Sequence, residues 1–297
     1  MNRAHEPGSP AQRTAPEPVS VDVFGRRLAG LRWGTSGGLP TLALHGWLDN
    51  ANTFNRLAPL LPELDLVALD FAGHGASDHL PTGCHYHGLF DIQDVLAAAD
   101  ALGFQRFALI GHSMGAGIAS ELAGLFPERV THAMMIDGFV ATGGVTVAER
   151  IASNREALEQ MLYKSGRTPP VYDSLEDMVT RVTAATDQSA DAARELVARG
   201  HMRVDGGYTW RTDPRIRFAT PLRLTTEQID ELMRRTTAPA LLIVARAGDR
   251  WYRGEVSARQ AVHPHLTVVE MDGPHHIHLE PGHCGAVAAH IRTFLGL

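Results

Sequence analysis

A serine flanked by glycines at residues 111–115 is the best candidate for a nucleophile in this chain. The segment reads Gly-His-Ser-Met-Gly, follows the apolar run Phe107–Ile110 and precedes a stretch with helical spacing. A strand that turns into a helix within a few residues needs small neighbours, and Gly111 and Gly115 meet that need. Such a turn exposes Ser113 Oγ at the carboxyl end of a parallel sheet, where α/β proteins bind ligands. The alternative is a glycine-rich turn with an incidental serine, so the context must decide.

The rest of a catalytic triad can be assembled from two later loops. Attack by a serine hydroxyl needs a histidine that takes its proton and a carboxylate that orients this histidine. Asp249 follows the apolar run Pro239–Ala245, and His275 follows the apolar run Leu266–Met271. The order serine, aspartate, histidine is the one that accompanies this kind of turn. We therefore predict a triad of Ser113, Asp249 and His275.

Two members of this triad have alternatives. Asp137, at the end of the apolar run Val130–Ile136, can supply the acid, although the chain order favours Asp249. His276 can supply the base, although the loop reaches furthest from its strand at His275. Both alternatives stay open on the sequence alone.

Negative charge that develops on a substrate oxygen needs hydrogen-bond donors that are held in place in advance. The amide of Met114 is one predicted donor, because it lies in the first turn of the helix after Ser113. The amide of Trp47 is the other, in a His-Gly-Trp segment that follows the apolar run Leu39–Leu44. These two amides form the predicted oxyanion hole.

Three side chains are candidates for the wall of a substrate pocket: His45, Trp210 and Trp251. His45 is interpreted first as a structural group beneath the site and only second as a pocket residue. The two tryptophans lie in segments that could cover the site and exclude water from it.

Apolar runs alternate with helical segments through most of the chain. Such alternation implies right-handed crossovers and a mostly parallel sheet with helices on both faces. This alternation of strand-like and helical segments stops near residue 140 and resumes near residue 236. The stretch between them is mostly helical. We predict an α/β core at residues 19–139 and 236–297, an inserted helical cap at 140–235, and a disordered tail at 1–18.

The composition argues against several classes of partner and ligand. The formal net charge is −6 and the basic residues are dispersed, which predicts neither a nucleic-acid surface nor a polybasic membrane segment. No apolar run approaches the roughly 20 residues of a membrane span. Two cysteines and no secretory segment favour a reduced, cytoplasmic protein.

One local cluster raises the question of a metal. His79, Cys84, His85 and His87 lie close together in the sequence. Their spacing matches no closed zinc site, so we predict an ordinary loop here, no metal and no cofactor.

With these motifs placed, the chain resembles the α/β-hydrolase superfamily and, within it, the serine hydrolase-like proteins. The similarity covers nearly the whole chain from Val19, and its most specific segments are residues 45–54, 73–77, 91–104, 111–117 and 273–275. The resemblance implies the triad of Ser113, Asp249 and His275, an oxyanion hole from Trp47 and Met114, a helical cap and no cofactor.

We expect a cofactor-independent serine hydrolase that cleaves a carboxylic ester or related acyl compound through an acyl-enzyme on Ser113. Its expected partner is a small-molecule acyl substrate, and a monomer and a homodimer are both compatible with the sequence. Two other functions remain alternatives. One is a lyase or a hydrolase of C–C bonds that uses the same triad, and the other is a non-catalytic ligand receptor.

Overall fold

The computed structural model describes residues 12–139, 145–166, 168–247, 256–263 and 265–297. These residues form ten strands: β1 (Gln12–Val23), β2 (Arg26–Thr35), β3 (Leu39–Leu44), β4 (Leu64–Leu69), β5 (Phe107–His112), β6 (Val130–Ile136), β7 (His201–Val204), β8 (Gly207–Trp210), β9 (Ala240–Ala245) and β10 (Leu266–Met271).

Eight of these strands form one sheet in the order β1-β2-β4-β3-β5-β6-β9-β10, and β7 and β8 form a separate hairpin. The pairs β1–β2 and β2–β4 are antiparallel, and all other neighbours in the large sheet are parallel. The six parallel strands of this sheet therefore place their carboxyl ends at one edge; they are β4, β3, β5, β6, β9 and β10. This arrangement confirms the predicted mostly parallel sheet.

Eight α-helices accompany the strands in the described part of the chain: α1 (Gly88–Ala101), α2 (Met114–Leu125), α3 (Val147–Lys164), α4 (Leu175–Thr183), α5 (Ala190–Gly200), α6 (Thr226–Arg235), α7 (Val256–Val262) and α8 (Cys284–Leu295). Short 3-10 helices lie at Ala51–Phe54, Ala58–Leu60 and Pro214–Arg217. None of the described helices combines the length and the apolar character that crossing a membrane would require.

Helices cover both faces of the sheet, which explains the continuous apolar runs. In β3, Leu42 and Leu44 pack on the face covered by α1, α2 and α6. Between them, Ala43 packs on the opposite face with α8 and the first two 3-10 helices. A strand buried on both faces gains from apolar residues at every position.

The N-terminal boundary lies earlier than we predicted. β1 begins at Gln12, and its residues up to Pro18 pair with β2 as far as Thr35. Strands pair through backbone hydrogen bonds, which do not require apolar side chains. Residues 12–18 are mostly polar, so their sequence did not indicate a strand. Residues 1–11 lie outside the described residues.

The end of the cap also differs from the predicted boundary at residue 235. Helix α6 packs in the core layer, where Ile229, Leu232 and Met233 join the apolar cluster that contains α2. A Cβ added at Gly124 would lie 2.5 Å from the Leu232 carbonyl oxygen, so the two helices touch through their backbones. Of the segment predicted as the cap, helices α3 to α5 and the β7–β8 hairpin precede this core helix.

Helix α5 fastens the cap to the core. Arg199, near its C-terminal end, donates from Nε to Asp70 Oδ2 at 2.8 Å, and Asp70 follows β4 and is fully buried. Asn50 Nδ2 donates to the Leu196 carbonyl at 2.9 Å from the loop after β3. These contacts fix one side of the cap against the edge of the sheet where the candidate site lies.

Candidate active site

Ser113 occupies a strained turn between β5 and α2. Its backbone angles are φ 51° and ψ −112°, a region that side-chain-bearing residues rarely adopt. The Ser113 amide donates to the Ile136 carbonyl at 3.0 Å, which anchors the turn to β6. A Cβ at Gly111 would lie 2.4 Å from the Gly115 carbonyl oxygen, so the turn closes only with glycine there. The local geometry is that of a nucleophile elbow.

The start of helix α2 also touches the end of β3. A Cβ at Gly115 would lie 2.1 Å from the Leu44 carbonyl oxygen and 2.8 Å from that of His45. This contact brings the first turn of α2 next to the loop that contains Trp47. The amides of Met114 and Trp47 have no hydrogen-bond partner among the described residues. Both predicted donors are therefore available to a bound anion.

His275 is paired with Asp137. Its Nδ1 lies 2.5 Å from Asp137 Oδ2, and the Asp137 side chain is completely buried. Asp137 Oδ1 accepts from the Ala245 amide at 2.9 Å, which holds the carboxylate at the end of β6. The residue itself has φ 41°, a second strained position at this edge of the sheet. Asp137, the alternative acid, is thus the carboxylate that contacts the predicted base His275.

The sheet order places Asp137 close to the elbow. β6 is the direct neighbour of β5, whereas β9, which precedes Asp249, is one strand further away. A Cβ at Gly138 would lie 2.4 Å from the Ser113 carbonyl oxygen, so the turn after β6 lies against the elbow. Asp249 itself lies outside the described residues.

The main chain of His275 is held on both sides. Its amide donates to Asp187 Oδ2 at 3.1 Å, and its carbonyl accepts from His112 Nε2 at 3.1 Å. The rings of His112 and His275 lie 4.6 Å apart, which places the histidine loop beside the residue that precedes Ser113. Ser113 Oγ and His275 Nε2 form no hydrogen bond in the described part of the chain, and both residues are partly exposed. Each is free to contact a substrate.

The alternative base His276 faces the interior. Its Nε2 lies 3.0 Å from Asp49 Oδ2 and 3.0 Å from Gln188 Nε2, and the residue is buried. These contacts occupy the nitrogen that would have to reach Ser113. The geometry therefore favours His275 over His276 as the base.

The candidate pocket residues have different environments. His45 is fully buried, its Nδ1 donates to the Gly46 carbonyl at 2.7 Å, and its Nε2 accepts from the Phe71 amide at 3.1 Å. Burial lowers the pKa of His45, which keeps the ring neutral. This is the environment of a structural group beneath the site and not of a pocket wall.

Of the two tryptophans named as pocket residues, the structure describes one. Trp210 packs in a small cluster of the cap, with its ring 6.4 Å from that of Tyr172. Trp251 lies outside the described residues. Among the described tryptophans, Trp47 is half exposed, and its indole nitrogen donates to the Ile216 carbonyl at 3.2 Å. This hydrogen bond connects the loop after β3 to the segment Pro214–Arg217.

Sequence reasoning did not identify Asp187 or the contacts of Asp49. Asp187 lies between α4 and α5 and reaches His275 across the cap boundary. Asp49 contacts His276 from the loop after β3. Both contacts join residues that are far apart in the chain, so no pattern in a short stretch of sequence could have indicated them.

Known proteins share both the sequence and the fold of this chain. The sequence profile described as alpha/beta hydrolase fold matches residues 42–280. A serine hydrolase-like protein of Danio rerio is 35% identical over 99% of this chain and 93% of its own length. The match includes the elbow and the histidine loop.

Solved structures agree with this assignment. A hypothetical protein of Pseudomonas aeruginosa superimposes with a TM-score of 0.89 and 38% identity, covering 95% of this chain and 100% of the other. The thioesterase domain from the curacin biosynthetic pathway superimposes with a TM-score of 0.81 at 21% identity, covering 93% and 99%. At that identity the second likeness establishes the fold alone.

Proposed function

Because the chain belongs to the α/β-hydrolase-fold family, we propose that it is a serine hydrolase that cleaves a carboxylic ester or related acyl compound. One observation carries the proposal above all others. Ser113 is held at φ 51° in the elbow, and the His275–Asp137 pair is fixed at the same edge of the sheet. Strain of this kind persists where the surrounding structure maintains it for function.

In the proposed mechanism His275 acts as the general base. Its Nε2 takes the proton of Ser113 Oγ as this oxygen attacks the carbonyl carbon of the substrate. Asp137 accepts from Nδ1–H, which fixes the tautomer and stabilises the imidazolium that forms. The hydrogen bond between Ser113 and His275 forms when the substrate is bound.

The tetrahedral intermediate places its negative oxygen between the amides of Met114 and Trp47. Each amide donates one hydrogen bond, and the start of α2 adds the favourable end of the helix dipole. The intermediate collapses when His275 returns the proton to the leaving alcohol. Water, activated by His275, then attacks the acyl-enzyme on Ser113 and releases the acid.

A similar protein supports this chemistry. The Danio rerio relative, 35% identical to this chain, is named a serine hydrolase-like protein. The pairing of Asp137 with His275 supports the proposal independently of any name, because a histidine with a buried carboxylate partner is the form in which a serine is activated. No step of the proposed reaction needs a cofactor.

A series of p-nitrophenyl esters with increasing acyl chain length tests the proposal. We expect the wild-type protein to release p-nitrophenol, with a chain-length optimum that reports the depth of the pocket. Ser113→Ala should lose at least about 10³-fold in kcat/KM. Ser120→Ala is the matched control, because Ser120 Oγ bonds to the Ala116 carbonyl inside α2 and faces no substrate.

The same experiment separates this function from its alternatives. Intact-mass analysis during turnover should detect an acyl adduct on Ser113, which a lyase would not form. Activity that survives Ser113→Ala, or no turnover across the whole ester series, would contradict the proposal.

A further inference from the structure

Three buried donor groups converge beneath the catalytic loops. One atom each from Asp49, His112 and His276 lies within 4.8 Å of the others, and all three residues are buried. Asp49 Oδ2 lies 3.0 Å from His276 Nε2 and 3.4 Å from His112 Nδ1. Within the described ranges this is the one group of three such residues with donor atoms this close.

One ring nitrogen of His112 lies unpaired inside this cluster, among the described residues. His112 Nε2 faces the main-chain carbonyl of His275 at 3.1 Å, and a carbonyl only accepts. His112 Nε2 therefore carries a ring proton and donates to this carbonyl. The other ring nitrogen, His112 Nδ1, lies 3.4 Å from Asp49 Oδ2. It is buried and has no hydrogen-bond partner among the described residues.

A fourth donor lies beside the cluster. Gln188 Nε2 is 3.0 Å from His276 Nε2, while Gln188 Oε1 is buried without a hydrogen-bond partner in the described part of the chain. Rotating the amide by half a turn places Oε1 at the position of Nε2. An amide oxygen at that position would lie 3.0 Å from His276 Nε2, beside the three other donors.

Gly46 leaves room beside two of these donors. A Cβ at this position would lie 2.9 Å from Asp49 Oδ2 and 2.9 Å from His112 Nδ1. A side chain of any size would therefore fill the space next to both atoms. The absence of a side chain at residue 46 keeps the donors accessible to a small ion.

We propose that Asp49, His112 and His276 form a structural site for one divalent transition-metal ion of the zinc class, with Gln188 Oε1 as the fourth ligand. Imidazole nitrogen and carboxylate oxygen are ligands that zinc prefers. Tetrahedral bonds of about 2.1 Å place ligand atoms about 3.4 Å apart. The Asp49 to His112 distance of 3.4 Å matches that separation, and the Asp49 to His276 distance of 3.0 Å is close to it.

The surroundings of His112 also fit a metal ligand. A histidine that binds zinc commonly donates its other ring nitrogen to a carbonyl or carboxylate, which fixes the tautomer. His112 Nε2 already makes such a bond to His275. The ion would join the loop after β3, the end of β5 and the histidine loop. This role is independent of the proposed ester hydrolysis, because a closed four-ligand site stabilises loops and does not activate water.

Refolding the full chain with zinc tests the site. Protein is unfolded, refolded in chelator-treated buffer with or without one equivalent of Zn²⁺, freed of unbound metal by gel filtration, and analysed for metal content and melting temperature. We expect one zinc per chain and a higher melting temperature for the wild type. Asp49→Asn and His276→Gln should each retain at least about tenfold less zinc.

The partly exposed histidines of the loop before α1 supply the matched control. A His85→Gln and His87→Gln double variant removes two imidazoles outside the buried site and should still retain one zinc. Wild-type protein that retains no more zinc than Asp49→Asn would overturn the proposal. Equal loss of zinc from the double variant would overturn it as well.

Cobalt binding to the wild-type protein tests the proposal even if Asp49→Asn and His276→Gln fail to fold. Wild-type protein refolded with Co²⁺ should show the intense visible absorption of a four-coordinate ion. The weak absorption of six-coordinate cobalt, or no retained cobalt, would contradict a closed site of two nitrogens and two oxygens.

Discussion

His275 Nδ1 lies 2.5 Å from Asp137 Oδ2, so the histidine of the loop after β10 is paired with the carboxylate at the end of β6. The pairing spans the two strands on either side of β9 in the sheet. It places the acid next to the elbow, because Gly138 lies against the backbone of Ser113. The candidate triad is therefore Ser113, His275 and Asp137.

Replacing this carboxylate by an amide tests its role. Asp137→Asn should lower kcat by roughly 10³–10⁴-fold, because an amide neither fixes the required tautomer nor stabilises the imidazolium. Asp249→Asn, the matched exchange at the acid favoured by chain order, should change kcat by less than about tenfold. Ester hydrolysis rates at pH 7 measure both. The opposite ranking would restore Asp249 as the acid.

The elbow was predictable from the sequence because its signal is local. Gly111, Ser113 and Gly115 lie within one turn, and their spacing reflects contacts that the structure shows between their own backbones and the neighbouring strand. The alternation of apolar runs and helices was also visible locally, because strands such as β3 are buried on both faces and are apolar throughout. The fold and the elbow geometry thus follow from short stretches of sequence.

The pairing of Asp137 with His275 and the supporting contacts were not predictable in this way. The choice between Asp137 and Asp249 depends on which strand lies next to β5, and the chain order does not encode sheet order. The contact of Asp187 with His275 depends on how the cap docks. The strand at residues 12–18 depends on pairing with β2, which polar residues can satisfy through their backbone.

Gly115 should tolerate no side chain. A Cβ there would lie 2.1 Å from the Leu44 carbonyl oxygen, and both partners are backbone that cannot move aside. Gly115→Ala should lower the free energy of unfolding by roughly 1–3 kcal/mol or more and reduce ester hydrolysis. Chemical denaturation measures the first effect.

Gly285→Ala is the control for that exchange. Gly285 lies in α8 with nothing within 4 Å of the added Cβ, so alanine should stabilise the protein by up to about 1 kcal/mol. Equal stability of the two variants would show that α2 does not pack on β3 as described.

The Arg199–Asp70 pair should be a major anchor of the cap. The Asp70 side chain is fully buried, so Arg199→Ala would leave its charge without the guanidinium. We expect a loss of roughly 3–5 kcal/mol in the free energy of unfolding. Arg155→Ala removes an exposed partner of Glu159 and should cost no more than about 1 kcal/mol. Similar losses for both variants in urea denaturation would refute the anchor.

Buried His74 should make stability fall at mildly acidic pH. Burial lowers the pKa of His74 to about 3, whereas an unfolded chain has a histidine pKa of about 6.5. The unfolded state therefore binds more protons below pH 6.5, and stability is lost as the pH falls through the window from 6.5 towards 3. Between pH 7 and pH 5 this one group should remove about 2 kcal/mol.

Urea denaturation at pH 7 and pH 5 measures that loss. The free energy of unfolding of His74→Asn should decrease less between pH 7 and pH 5 than that of the wild type. His265→Asn changes an exposed histidine and should leave the decrease unaltered. A decrease in His74→Asn as large as in the wild type would show that His74 does not carry the effect.

Covalent labelling of Ser113 is the most direct test of its proposed role as the activated nucleophile. A fluorophosphonate probe reacts with a serine only when a base activates its hydroxyl, and peptide mass spectrometry locates the adduct. We predict one adduct on Ser113 in the wild type, strong loss of labelling in Asp137→Asn, and none in Ser113→Ala. An unlabelled wild-type protein, or an adduct that persists in Ser113→Ala, would contradict the proposed role of Ser113 as the nucleophile.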